Sequence, residues 1–171
     1  MNLWIMGDAM TKQHSRYLTI ETAVSGIVNA VLSILFFLIV FGRAEAVPVG
    51  GNPGLVVDAL PQTFMVVFMT TLVQTILTRQ RRAKGQLEAL GGRGAPLPAN
   101  LFLRALVIAL LAVLLAGALH ALLLPMLTPP EWPFFAALAY KGAYGALVGM
   151  AVSRLILPAA LRDARAAPAT D

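Results

Sequence analysis

Of the chain's 171 residues, 58% are hydrophobic and 12% charged, against about 25% charged in an ordinary soluble domain. Apolar residues gathered in long blocks argue against a soluble protein. The absence of cysteine excludes disulfides and thiol catalysis, and two distant histidines argue against a histidine metal cluster. The formal net charge of +5 sits beside apolar runs, not in a basic stripe interleaved with aromatics, so it points to lipid headgroups and topology and away from nucleic acid.

A membrane helix needs about 20 mostly apolar residues to cross roughly 30 Å of hydrocarbon. Four stretches meet that length, approximately 19–41, 58–78, 101–125 and 134–157. The expected fold is all-α: a polytopic membrane protein, one domain over 1–171, built as a bundle of four transmembrane helices.

The first span carries Glu21 near its start, then Thr22, Ser25, Gly26, Asn29 and Ser33 at three- and four-residue spacing, and ends in the Gly/Pro loop "GRAEAVPVGGNPG". Small residues at that spacing let helix backbones approach closely, which is what holds helices together where lipid offers no hydrophobic drive. The "AEA" at 44–46 has the pattern of a signal-peptidase site. The preceding run, about 19 residues, exceeds the usual 7 to 15 of a signal peptide, so the helix is expected to be retained.

Asp58 is expected to cap the second span, with Pro61 in its first turn. A polar stripe follows: Thr63, Thr70, Thr71, Gln74 and Thr78 lie mostly on one side of the helix. Either these groups satisfy their own backbone and neighbouring helices, or they line a hydrated pocket with Met65 and Met69. The connection "RQRRAKGQ" behind them reads as a topology anchor that can also meet anionic headgroups.

Asn100 caps the third span, Arg104 follows just inside it, and His120 lies near its far end as an interfacial residue. The stiff turn "PMLTPPEWP" places Trp132 at the membrane interface. The fourth span bears Gly142, Gly145, Gly149 and Ser153 on one face and is expected to close at Pro158. It also contains Lys141 and Arg154. Span one is therefore expected to pack on span four, with Asn29 hydrogen-bonding across the contact. Lys141 shares its depth with Asp58, and His120 approaches the same side; Arg154 shares its depth with Glu21. These pairings would fix helix register, with a coupling or substrate site and independent snorkelling as the competing readings.

Eleven of the thirteen Lys and Arg residues lie in or beside the N-terminal tail, the connection between spans two and three, and the C-terminal end. The positive-inside rule then places both termini and that connection in the cytoplasm.

The segments "SRYLTIETAVSGIVNAVLS", "LPQTFMVVFMTTLV", "LPANLFLRALV" and "KGAYGALV" together resemble uncharacterised small four-helix inner-membrane proteins found in bacteria. The resemblance covers most of the chain. It implies a bacterial inner (cytoplasmic) membrane as the location and carries no functional residue with it.

No nucleophile elbow, zinc motif, thiol or paired carboxylate is present within a span, so no catalytic, cofactor-binding or metal residue is assigned and the chain is expected not to be an enzyme. The expected role is an accessory or structural membrane protein. Its company would be the lipid bilayer with a second copy of itself or a larger membrane partner, and no cofactor. The alternative is a small oligomeric permease or channel subunit using Glu21, Asn29, Asp58, Gln74, His120, Lys141 and Arg154.

Overall fold

The computed structural model describes residues 10–42, 44–91 and 97–163. Arg43, Arg93 and Arg165, which contribute to the topology expectation, lie outside the described residues. Four helices, α1 (Lys12–Phe41), α2 (Leu55–Ala83), α3 (Leu101–Leu127) and α4 (Phe134–Arg162), are each long and apolar enough to cross a membrane. At 27 to 30 residues each extends about 40 to 45 Å. That exceeds the hydrocarbon thickness, and the surplus lies mostly at the end where the basic residues cluster.

Helix α1 begins seven residues before the expected boundary because Thr11 caps it, its hydroxyl accepting from the His14 amide at 3.3 Å. Helix α2 corrects a second boundary. Its N-cap is Gly54, and Asp58 sits inside the first turn, with its amide donating to the Gly54 carbonyl. A carboxylate there still complements the helix dipole, as Arg81 and Arg82 do in the last turn. Asn100 does cap α3, accepting from the Leu103 amide at 3.0 Å.

Pro158 does not close α4, which runs on to Arg162. A proline removes one backbone donor, but the following carbonyls find partners: Arg82 donates to Ala160 O and the Leu90 amide to Leu161 O. The loops at the opposite end pair in a way the hydropathy pattern does not announce. Strands β1 (Ala46–Pro48) and β2 (Glu131–Pro133) form an antiparallel ladder with Val47 opposite Trp132. This joins the α1–α2 connection to the α3–α4 connection.

Helix α4 packs against both α1 and α2, and α3 packs against α2. The α1–α4 contact runs along the small-residue faces. Apolar clusters sit at both ends: Phe37, Phe41, Val47, Val49, Leu55, Leu124 and Ala137 beneath the strands, and Leu18, Leu87, Leu90, Leu157 and Leu161 at the basic end. Between them, α1, α2 and α4 bury a polar seam, beside a third apolar cluster of Val67, Ala109, Val152 and Ile156 that joins α2, α3 and α4.

Candidate functional site

Glycines set how closely α1 and α4 approach. A Cβ on Gly149 would lie 2.5 Å from Asn29 Nδ2, one on Gly26 2.8 Å from Met150 Cγ, and one on Gly142 3.2 Å from Ile34. Ser25 Oγ crosses to donate to the Gly149 carbonyl at 3.2 Å. Asn29 does not bond α4, which corrects the expectation. Its amide donates to Ser25 O at 2.8 Å and to Thr70 Oγ1 of α2 at 3.1 Å. Gly149 offers Asn29 a surface to pack on and no side-chain acceptor, so the amide reaches past it to the third helix.

The stripe of α2 is buried throughout: Thr63, Thr70, Thr71, Gln74 and Thr78 are all within 6% exposure. Gln74 Nε2 donates to Ser153 Oγ at 2.6 Å, and Ser153 in turn donates to Gly149 O at 2.8 Å. Gln62, passed over in the sequence, extends the same seam, with Nε2 donating to Ser33 Oγ at 2.6 Å and to Lys141 O at 3.4 Å. Thr75 is fully buried beside them. The signal for both was available, since Thr75 falls four residues after Thr71 and three before Thr78, and Gln62 four after Asp58.

Lys141 Nζ lies 2.6 Å from Asp58 Oδ2, with side-chain exposures of 1% and 11%. The pair stands one turn inside Leu55 and Ala137 of the apolar cluster beneath the strands. Seven residues into α4, Lys141 is about 10 Å along the helix from its start. His120 makes no bond to either member. Its Nδ1–H donates to Ala116 O at 2.7 Å, which leaves Nε2 to accept from the Tyr140 hydroxyl at 2.6 Å. Trp132 meets Tyr140 edge to face, with ring centroids 5.3 Å apart. Tyr144 closes the group by donating to Thr63 Oγ1, whose own proton goes to Ala59 O at 2.6 Å.

At the basic end the second expected pair is not formed. Glu21 is bound by Arg81 of α2, whose guanidinium also lies 5.2 Å from the Tyr17 ring centroid. Arg154 is exposed. Equal depth is not enough to make a contact: Arg154 follows Ser153, and one residue turns a helix by about 100°, off the face that meets α1. Arg81 follows Thr78 by three residues, and Thr78 already touches α1 through the Tyr17 hydroxyl at 2.8 Å.

Asp163, just past α4, ties three helices together. Arg79 of α2 reaches Oδ2 at 2.8 Å, and Arg104 of α3 grips both carboxylate oxygens at 2.9 Å. Burial would raise the Asp163 carboxyl, but the hydrogen bonds and charges of Arg104 and Arg79 outweigh it and hold the group below the usual carboxylate range. The neighbouring connection is attached too. Gln86 O and Glu88 O accept from Gln13 and His14 of α1 at 3.0 Å, and Gly91 O accepts from Arg162 at 3.4 Å. Residues that read as topology anchors thus also hold the ends of the helices.

Among the described residues, no three His, Asp or Glu side chains gather as a metal site. No protein-family model, curated protein or solved structure matches this chain.

Proposed function

We propose that this chain is a multi-pass integral membrane protein, a four-helix bundle with both termini and the 79–99 connection in the cytoplasm, serving an accessory or structural role. The observation that carries this reading is that the polar faces of α1, α2 and α4 bond mainly to one another, Asn29 to Thr70, Gln62 to Ser33 and Gln74 to Ser153. Polar groups satisfied among neighbouring helices act as glue. Side chains that face away are apolar, as on α3, where Leu111, Leu114, Leu115 and Leu122 are each more than 60% exposed. Such a surface suits lipid or another membrane protein. A bacterial inner membrane is supported by the resemblance of the helix segments, and the orientation by the disposition of Lys and Arg.

The buried Lys141–Asp58 pair favours a second reading, a small permease or channel subunit, since ionisable groups at membrane depth commonly mark ion pathways. Four helices would then have to oligomerise to enclose a path. Purified protein in liposomes separates the two. The accessory role predicts no sodium, potassium or proton flux above that of protein-free vesicles, and a flux lost on Lys141→Gln would replace it with the transport role. Threading is tested by labelling Gly51→Cys and Gly91→Cys with an impermeant thiol reagent added outside cells. Reaction at position 51 alone fits the proposed topology; reaction at position 91 alone reverses it.

A further inference from the structure

We propose that the face of α1 turned away from α4 holds one phospholipid with a net negative headgroup, such as phosphatidylglycerol, its phosphate bound by Lys12 and Arg16. The inference rests on the reading of this chain as membrane-spanning, and adds a lipid class and a place to it.

Among the described residues, the cations at the basic end divide into two sets. Arg79, Arg81 and Arg104 are ion-paired, and Arg82 and Arg162 donate to backbone carbonyls. Lys12, Arg16, Lys84 and Arg154 are exposed, and no acid among the described residues pairs with them. Only Lys12 and Arg16 stand one turn apart on one helix, which puts their Cβ atoms about 5 to 6 Å apart. A single phosphate can meet both, and the planar fork of the arginine suits its oxygens. Glu21, the only acid on α1, is held by Arg81 and does not neutralise them. Glu88 of the 79–99 connection meets α1 through its backbone carbonyl, which His14 engages.

The same face continues as apolar surface. At about 100° per residue, Lys12, Arg16, Ile20, Val24, Ile27 and Val31 fall within an arc of about 120°. That arc lies roughly opposite Ser25, Asn29 and Ser33, which α4 covers. The four aliphatics are 48 to 66% exposed. Charge at one end and branched aliphatics beyond it match the order of phosphate and acyl chains in a phospholipid. A free phosphate would engage the cations and gain nothing from the stripe.

Depth agrees with that order. Arg16 and Lys12 precede the apolar run from residue 19 by about 5 and 10 Å along the helix. The headgroup layer on each side of the hydrocarbon is about 5 to 8 Å thick. Arg16 therefore lies within it, and the flexible Lys12 stem reaches back to it. Gln13, donating to Gln86 O, and Tyr17, bonded to Thr78, tie this part of α1 to the connection and to α2. The two cations thus project from an anchored backbone. Net charge selects the headgroup, because a zwitterionic one brings its own ammonium beside them and like charges repel.

The test is native mass spectrometry of the purified, detergent-solubilised full chain titrated with dioleoylphosphatidylglycerol or dioleoylphosphatidylcholine. About one phosphatidylglycerol should bind per chain at concentrations that leave phosphatidylcholine unbound, and excess inorganic phosphate should not displace it. Lys12→Gln with Arg16→Gln should weaken that binding about 25-fold, about fivefold for each cation removed. Lys84→Gln with Arg154→Gln removes the same charge elsewhere and should change it less than about twofold. All four side chains are exposed, so neither variant is expected to lose its fold. Equal binding of the two lipids, or displacement by phosphate, would overturn the lipid site. Equal losses from the two charge-matched variants would overturn it as well, leaving only diffuse attraction. A chain that stays dispersed without detergent would instead sink the membrane reading, whereas one that needs detergent and ignores headgroup charge would sink this site alone.

Discussion

A Cβ placed on Gly145 would lie 1.9 Å from Ser33 Oγ and 2.7 Å from the Asn29 carbonyl oxygen, so α1 and α4 meet where neither has room for one more carbon. Gly145→Ala should accordingly push the helices apart and cost about 1 to 3 kcal/mol, the usual penalty of overpacking. Gly149→Leu should cost more. Ala143→Leu, on an exposed face of the same helix, should change little. Unfolding midpoints in detergent compare the three, and equal midpoints for Gly145→Ala and Ala143→Leu would rule out the close contact.

The ion pairs make contrasting predictions under double-mutant cycles. Asp58→Asn and Lys141→Gln should each destabilise by about 3 kcal/mol, because each leaves a buried charge alone. Together they should cost clearly less than the sum. Glu21→Gln with Arg81→Gln should show a weaker coupling of about 0.5 kcal/mol, since the Arg81 side chain is 38% exposed. Glu21→Gln with Arg154→Gln should be additive, and coupling there would return Arg154 to the contact from which the structure excludes it.

Acid should loosen the basic end first. Asp163 in the folded chain holds its proton less readily than the same carboxyl in the unfolded chain, because Arg104 and Arg79 outweigh the effect of burial. Its stabilisation is therefore complete above the unfolded value of about 3.9 and is lost as pH falls through the lower folded value. Wild-type thermal midpoints should drop as pH falls from about 5 to 3. Asp163→Asn should start lower at neutral pH and show a flatter acid limb, and identical limbs would remove Asp163 as the cause.

Gln74 and Ser153 test whether their hydrogen bond holds the helices or only relieves two buried groups. Ser153→Ala leaves the Gln74 amide without its acceptor, a cost of about 1 to 3 kcal/mol. Gln74→Leu removes both that donor and an Oε1 already lacking a partner, so the combined substitution should be milder than Ser153→Ala alone. A combined loss equal to the sum would mean the two side chains are uncoupled and the bond holds nothing.

The four helices could be read from hydropathy because each contains a mostly apolar run of membrane-crossing length. Their ends could not, since Thr11 capping and the partners found by Ala160 and Leu161 extend helices past where apolar composition stops. Lys141 and Asp58 were legible together: both enter from the same side at similar depth, and both happen to face inward. Glu21 and Arg154 share a depth as well, but depth says nothing of rotation about the helix axis, and Arg81 occupies the position that Arg154 does not. Asp163 lies just after the last helical turn, where local sequence gives no hint that residues 79 and 104 arrive beside it. Asn29 was legible as buried glue, though its partner depended on a third helix whose placement no pairwise pattern specifies.

Because α1 has α4 as its principal neighbour, the first helix made must wait for a helix separated from it by residues 42–133 before its contacts are complete. During synthesis Ser25, with its acceptor on Gly149, emerges long before that acceptor exists. Loop closure over that distance carries an entropic cost that a sequential hairpin avoids. Nascent chains stopped before α4 would hold a half-satisfied polar seam, a form for quality-control proteases to remove, and the antiparallel strands between the two distant connections record that α1 and α4 are joined in space and not in time.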